Sequence, residues 1–187
     1  MKPLIAVDCE MHGLRLYRDD LCLIQVGDDE QRVALVRPQP ECPPNLKTLL
    51  THPDVIKVFH FALSDVGFLK VRYGIDVRPL RCTRVMSKLI RTYTDRHGLK
   101  NLLQELLDVD ISKHQQMSDW GAAELTKAQL DYAASDVLYL HALREKLNGR
   151  LEREGRMDMA QACFDFLPTR ARLDLAGWAS ADIFSHE

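Results

Sequence analysis

The chain has 187 residues, enough for one domain with a sizeable core, and its formal net charge of −2 argues against a protein that grips long nucleic acid by general electrostatics. Hydrophobic residues make up 46% of it and charged residues 28%, as in an ordinary globular protein. No apolar run reaches the roughly 18 residues that a membrane span requires.

The cysteines and the N-terminus bear on the cellular compartment. The five cysteines are scattered, odd in number and contain no CxxC pair, which argues against zinc ribbons and disulfide frameworks. Free thiols in a reducing compartment are the simpler interpretation. The N-terminal stretch MKPLIAVDCEMHG has too short an apolar run for a signal peptide. We therefore expect a cytoplasmic protein with no membrane partner.

The first part of the chain has the pattern of a small sheet. Apolar, β-branched runs bounded by turn residues predict four strands, at residues 3–10, 21–27, 32–36 and 55–61. A short helix is predicted after Pro44, and SDVGFLKVRYG predicts a second helix that ends at Gly74.

From about residue 83 onward the pattern is mostly helical. Apolar residues at three- and four-residue spacing predict helices at residues 83–91, 98–107, 124–148 and 150–164. Strands first and helices after predict one α/β domain over residues 1–187, a central mixed β-sheet flanked by helices. The tail, from about residue 165 to 187, is too apolar for a disordered end, so it packs either on its own core or on a neighbouring subunit.

Four acids stand out by their context. Asp8 and Glu10 alternate at the end of the first strand, so both side chains point to the same side. Asp65 starts a helix, and Asp136 follows Tyr132 by four residues on one face of QLDYAASDVLYL. Simpler interpretations exist, because Asp65 would cap its helix and the strand acids would mark a solvated strand end. Asp136 resists such an interpretation, since a lone carboxylate among apolar residues is costly unless it is paired.

Carboxylates that meet in a folded protein repel one another unless a cation neutralises them. Oxygen ligands of this kind suit Mg²⁺ or Mn²⁺ better than zinc. Two such ions, about 4 Å apart, hold the attacking and leaving oxygens of a phosphodiester during in-line displacement. The Tyr132 phenol, one helical turn before Asp136, would then hold or deprotonate the attacking water. The four acids thus predict a site for two divalent metal ions.

Three segments resemble the motifs of a known family. VDCEMHGL, HFALSDVGFL and QLDYAASDVLYL look like the three motifs of the DEDD 3′-5′ exonucleases, and Tyr132 marks the tyrosine subclass that includes ribonuclease D. KHQQMSDW (113–120) resembles the K-x-x-Q-x-S-D-W stretch before the third motif of ribonuclease D-like enzymes. The resemblance implies a ribonuclease H-like exonuclease fold in which Tyr132 positions the nucleophilic water. It also implies that the four acids bind two divalent ions.

Within that family the chain looks most like the short alphaproteobacterial enzymes of the nano-RNase C group. LIRTYTDRHGLKN, WGAAEL and CFDFLPTRARLDLAGW resemble that group. Roughly forty residues follow the third motif and Trp120 is not followed by Arg-Pro, and both features argue against a ribonuclease D that acts on structured RNA. The resemblance implies a substrate of two to a few ribonucleotides and 5′-monophosphate products. It also implies a homo-oligomer, an octamer built from dimers, with the tail at a subunit interface.

The same resemblance indicates residues that contact the RNA. In oligoribonucleases a leucine after the first motif lies between the two bases, so Leu14, after the flexible Gly13, is the candidate here; a core leucine is the alternative. His60 is a candidate for the terminal nucleotide, or a core histidine. Arg and Lys are the types suited to a 5′ phosphate. The further substrate-binding candidates, among which the sequence does not choose, are Arg91, Arg96, His97, Lys100, Lys113 and Gln116.

Two rival functions stay open. A general 3′-5′ exonuclease would trim the ends of longer RNA or DNA. An inert nucleic-acid-binding scaffold would have lost a metal ligand, whereas all four acids and Tyr132 are present here. The weak net charge favours a short substrate, since a dinucleotide held by two ions needs no long basic track.

Overall fold

A five-stranded mixed sheet forms the centre of the fold, in a computed structural model that describes residues 3–112 and 114–186. The strands are β1 (Leu4–Met11), β2 (Leu21–Gly27), β3 (Val33–Val36), β4 (Ile56–Phe59) and β5 (Leu80–Cys82). Their order in the sheet is β3-β2-β1-β4-β5, with β1, β4 and β5 parallel and β2 antiparallel to both of its neighbours. The prediction of an α/β fold with a central mixed sheet is confirmed.

Helices flank this sheet. Those in the described residues are α1 (Pro44–Thr51), α2 (Ala62–Tyr73), α3 (Thr83–Ile90), α4 (Leu99–Leu107), α5 (Lys127–Leu138), α6 (Leu140–Arg153) and α7 (Met157–Leu173). A short segment, Asp174–Trp178, continues α7 and bends at Gly177, whose φ is +108°. Across the described chain, no helix combines the length and the apolar character needed to cross a membrane. Aliphatic side chains such as Val58, Leu69 and Leu143 are fully buried between sheet and helices.

Two predicted helices have different bounds in the structure. The segment 124–148 forms two helices rather than one, because Tyr139, with φ −104° and ψ 0°, departs from regular helix geometry between α5 and α6. The last helix begins at Met157 rather than at residue 150, after Gly155 turns the chain with φ +63°. The sequence did not predict β5, whose 3 residues are too few for an alternating pattern.

The parallel strands bring several functional candidates to one edge of the sheet. Since β1, β4 and β5 run in the same direction, the residues at their carboxyl ends lie side by side. Asp8 and Glu10 lie toward the end of β1, His60 follows β4, and Thr83 follows β5. α5 packs across β1, β2 and β3 and carries Asp136 to the same region.

Lys57 is a buried cation near the start of β4. Its Nζ donates hydrogen bonds to the carbonyl oxygens of His52, Val55 and Arg78, at 2.8, 2.9 and 2.6 Å. The side chain is fully buried, and burial lowers the pKa of the ammonium to about 8. Lys57 therefore joins the segments that lead into β4 and β5.

Replacing Lys57 by Met is expected to lower the free energy of unfolding by about 2 kcal/mol. Three carbonyls in part-buried hydrogen bonds would lose their donor, at about 1 kcal/mol each, while removal of the buried charge offsets part of that loss. Urea denaturation of Lys57→Met beside Lys47→Met, which alters an exposed lysine of α1, measures the difference. Equal midpoints for the two variants would contradict this role of Lys57.

Candidate metal centre

Three carboxylates from two elements meet at the edge of the sheet. Asp8 and Glu10 come from β1 and Asp136 from α5, and one oxygen of each lies within 4.8 Å of the other two. Alternation along β1 brings the two strand acids to one face. Asp136 reaches them because α5 packs against β1 and β2. The cluster is half-enclosed, with Glu10 only 9% exposed.

Burial and mutual repulsion raise the pKa values of these acids. At Glu10 burial is the largest cause, followed by the charges of Asp136 and Asp65, and the pKa reaches about 8. The pKa of Asp8 is raised well above its usual range by burial first and then by the charges of the other three acids. Without a cation the cluster therefore retains protons near neutral pH. Carboxylate oxygens in this arrangement fit a hard divalent cation such as Mg²⁺ or Mn²⁺.

Asp65 approaches the cluster from α2 and is held at Cys9. It is 4% exposed, and its carboxylate accepts hydrogen bonds from the Cys9 thiol and backbone N–H. Burial nevertheless raises the pKa of Asp65 to about 7. Among the described residues, the group within 4.8 Å does not include Asp65, although its charge raises the pKa of Asp8. The structure thus brings three of the four predicted ligands into one group and places the fourth within electrostatic reach.

Tyr132 lies one turn before Asp136 on α5. Its hydroxyl is hydrogen-bonded to the Asp136 carboxylate, and its ring packs on the buried Trp120 with 5.9 Å between centroids. Burial first, and then the charges of the acids, raises the pKa of Tyr132 well above its ordinary value. The phenol therefore stays protonated and donates a hydrogen bond. Of the two roles left open by the sequence, holding a water suits this chemistry better than deprotonating it.

Gln25 is a buried polar residue that the sequence motifs do not reveal. It lies on β2 opposite Asp8, is fully buried, and its Nε2 donates to Glu10 Oε1 at 3.3 Å. The Oε1 of Gln25 has no hydrogen-bond partner among the residues that the structure describes. The donated bond lowers the pKa of Glu10 and so favours its ionised form. The feature of the sequence that points to Gln25 is its position as a single amide within the apolar strand LCLIQVG.

We expect Gln25→Leu to weaken divalent-metal binding about tenfold to a hundredfold while the fold is retained. Leucine fills a similar volume but donates nothing to Glu10, so the carboxylate is free to rotate and keeps its proton to higher pH. Calorimetric titration with Mn²⁺ near neutral pH measures the affinity. Gln39→Leu, which alters an exposed glutamine, is the matched control, and equal affinities in the two variants would contradict this role.

Gly13 and Leu14 lie in the loop between β1 and β2. Leu14 is 78% exposed, which is incompatible with the alternative of a core leucine. A Cβ at position 13 would come within 2.3 Å of the Asp19 carboxylate, so any larger residue would displace that side chain. The Tyr17 hydroxyl donates to the Leu175 carbonyl at 3.0 Å and anchors the loop. The loop therefore presents Leu14 to solvent on a supported backbone.

Three candidates for RNA contact already have partners within the chain. His60 Nδ1 lies 2.9 Å from Thr83 Oγ1. His97 is buried, with 2.9 Å between its Nδ1 and Ser87 Oγ. Arg91 is fully buried, and its guanidinium pairs with a glutamate of α4. Their contribution to substrate binding stays a prediction.

The other candidates lie on or near the surface. Arg96 and Gln116 are exposed, and the Lys100 ammonium pairs with Asp110 at 2.9 Å. Lys113 lies outside the described residues. Contact between any of these residues and a 5′ phosphate also stays a prediction.

Comparison with known proteins places the chain in a family. A family model described as 3′-5′ exonuclease matches residues 1–152. Ribonuclease D of Granulibacter bethesdensis is 34% identical over 158 residues, which cover 83% of this chain and 40% of that protein. The chain thus spans well under half the length of such curated relatives.

Solved structures of Brucella melitensis NrnC are similar over nearly the whole chain. The form with bound Mg²⁺ has a TM-score of 0.94 at 48% identity, covering 99% of this chain and 91% of that one. The form bound to pGG has a TM-score of 0.95 at 49% identity, with the same coverage. The resemblance carried by the three sequence motifs is confirmed. The acids at the sheet edge agree with the match of the family model over residues 1–152. Because of that match, the chain belongs to the 3′-5′ exonuclease family.

Proposed function

We propose that the protein is a 3′-5′ exoribonuclease that degrades short oligoribonucleotides, dinucleotides especially, to 5′-mononucleotides. The observation that carries this proposal is the grouping of Asp8, Glu10 and Asp136 within 4.8 Å, beside the Tyr132 phenol. Family membership supports hydrolysis from the 3′ end. The likeness to NrnC, whose structure holds pGG, supports a short substrate. A net charge of −2 agrees with a ligand that carries few phosphates.

Two divalent ions, Mg²⁺ or Mn²⁺, are part of the proposal. Asp8, Glu10 and Asp136 would hold them, with Asp65 as the fourth ligand. Buried carboxylates whose pKa values are raised by mutual repulsion are donors that such ions favour. When bound, the ions lower the pKa of a water and stabilise charge on the leaving oxygen. The Mg²⁺-bound form of NrnC supports a divalent cofactor.

The residues of the chain orient the substrate and the water. The neutral Tyr132 phenol holds the attacking water beside Asp136. The water oxygen bonds to the phosphorus of the last phosphodiester and releases a proton to solvent, while the bond to the 3′ oxygen of the preceding nucleotide breaks and that oxygen takes up a proton from solvent. The products are a 5′-mononucleotide and a remainder with a free 3′ hydroxyl. Leu14, exposed on its anchored loop, separates two bases of the substrate.

We also propose that the protein is a cytoplasmic homo-oligomer, an octamer built from dimers. Large apolar side chains of the C-terminal segment are exposed, at Phe166, Trp178, Ile183 and Phe184. Such a patch fits a second copy of the chain better than it fits water. Free cysteines suit a reducing compartment. Light scattering on the parent and on Phe184→Asp measures the assembly, and a monomeric parent would exclude it.

The test of the activity uses 5′-phosphorylated RNAs of increasing length in Mn²⁺, from a dinucleotide to a twenty-nucleotide strand, each alone and in competition. Fast cleavage of the dinucleotide and slow trimming of the longest strand are the expected results. Equal rates would replace this proposal with general 3′ trimming of long RNA or DNA. Binding without turnover would favour the inert scaffold.

A further inference from the structure

Phe61 combines an unfavourable backbone conformation with an exposed aromatic side chain. It lies between β4 and α2 with φ +67° and ψ +48°, in the left-handed region. Glycine or asparagine adopts this region more readily than phenylalanine. The ring is 45% exposed, so burial of the side chain does not offset the strain.

The surroundings of Phe61 impose this conformation. The Cys82 sulfur accepts hydrogen bonds from the backbone N–H groups of Phe61 and Ala62. Phe59, two residues earlier, pairs with Cys82 between β4 and β5. The junction of two parallel strands therefore holds the backbone and leaves the ring outside. A strained residue that its neighbours hold in place is typical of a ligand-binding position.

A cation covers one face of this ring. The Arg84 guanidinium carbon lies 4.4 Å from the centroid of Phe61. Phe61 comes after β4 and Arg84 after β5, so both lie at the sheet edge that carries Asp8 and Glu10. Asp65 lies one helical turn beyond Phe61 on α2. The ring and its cation therefore lie at the same end of the sheet as the carboxylate cluster.

A role in stability alone does not account for this arrangement. A ring kept for core packing would be buried, and an exposed cation–π pair contributes too little to outweigh the backbone strain. A flat ring with a positive charge behind it instead matches the two parts of a nucleotide, a base that stacks and a phosphate that carries charge.

We propose that Phe61, backed by Arg84, is a stacking surface for one nucleobase of the RNA substrate, with the guanidinium near that nucleotide's phosphate. This proposal rests on the proposed function and adds a base-binding position to it. Phe61 follows the carboxyl end of β4, and Leu14 follows the carboxyl end of its parallel neighbour β1. Both are exposed apolar groups.

The test measures KM and kcat for a dinucleotide in Phe61→Asn and Phe61→Trp. Asparagine tolerates the left-handed backbone, so the ring is removed without added strain, and the melting temperature should not fall. We expect Phe61→Asn to raise KM about tenfold and to change kcat less than about twofold. Tryptophan restores a stacking surface and should keep KM near the parent value. Tyr73→Asn, which removes an aromatic ring with its own cation–π partner, Arg72, at the opposite end of α2, is the control.

Two dinucleotide analogues, one without the 5′ base and one without the 3′ base, identify the base that stacks. Phe61→Asn and the parent should have equal KM on the analogue that lacks the stacked base and should differ on the other. An unchanged KM on the intact dinucleotide, or an equal loss on both analogues, would overturn the proposal. Equilibrium binding of the dinucleotide in Ca²⁺ measures the difference in affinity between the parent and Phe61→Asn without turnover. It therefore separates failure of this proposal from failure of the proposed activity.

Discussion

Asp136→Asn is expected to lower the rate of dinucleotide hydrolysis about a thousandfold or more, and also to stabilise the metal-free protein. The rate falls because asparagine cannot supply the negative charge that a divalent ion requires. The metal-free protein gains stability because the charge of Asp136 raises the pKa of both Asp8 and Glu10, and the substitution removes that repulsion. Single-turnover kinetics and thermal melting in EDTA measure the two effects.

Asp131→Asn is the matched control on the same helix. The Asp131 carboxylate is exposed and pairs with Lys127 at 2.6 Å, so its loss should change the rate less than about twofold and should not raise stability. Full activity of Asp136→Asn would remove Asp136 from the site. A slow Asp136→Asn variant with unchanged metal-free stability would show that the acids do not repel one another in solution.

A divalent ion is expected to stabilise the protein more as the pH rises from about 5 to about 8. In the folded protein without metal, the pKa of Glu10 is about 8 and that of Asp65 about 7, and both are ordinary in the unfolded chain. The folded state therefore binds more protons than the unfolded state across this range, so metal-free stability falls as the pH rises. Divalent ions bind the deprotonated carboxylates, so their contribution increases over the same range.

Thermal melting with Mn²⁺ and with EDTA across this pH range measures the effect. The melting temperature in EDTA should fall toward the alkaline end, and the gap between the two curves should widen. Glu10→Gln removes the acid with the pKa of about 8 and should flatten the dependence. A gap that stays constant with pH would mean that the ion binds away from this cluster.

Local pattern and chemistry made the sheet and the carboxylate cluster predictable. β1 and β2 are long enough to show the apolar pattern of a strand. Asp136 stands out because a carboxylate on an apolar helix face requires a partner. The separation of α5 from α6 at Tyr139 was not predictable, since the apolar spacing continues across it. β5, with 3 residues, gives no pattern at all.

Other parts of the site depend on tertiary structure alone. The sequence shows an amide at Gln25, but its pairing with Glu10 depends on the register of β1 against β2. Phe61 reads as one more apolar residue of a strand, and only its backbone angles and exposure distinguish it. His97 shows the reverse case, a polar residue in a basic segment whose ring the fold has buried against Ser87.

The hydrogen bond from Tyr17 to the Leu175 carbonyl joins residues 158 positions apart, and this has a consequence for protein synthesis. The ribosome makes Asp8, Glu10 and the loop with Leu14 before Asp136, and it makes Leu175, the anchor of that loop, after Asp136. A growing chain therefore cannot complete the site before most of its residues have emerged. Fragments released by interrupted translation before Leu175 would therefore carry the loop without its anchor.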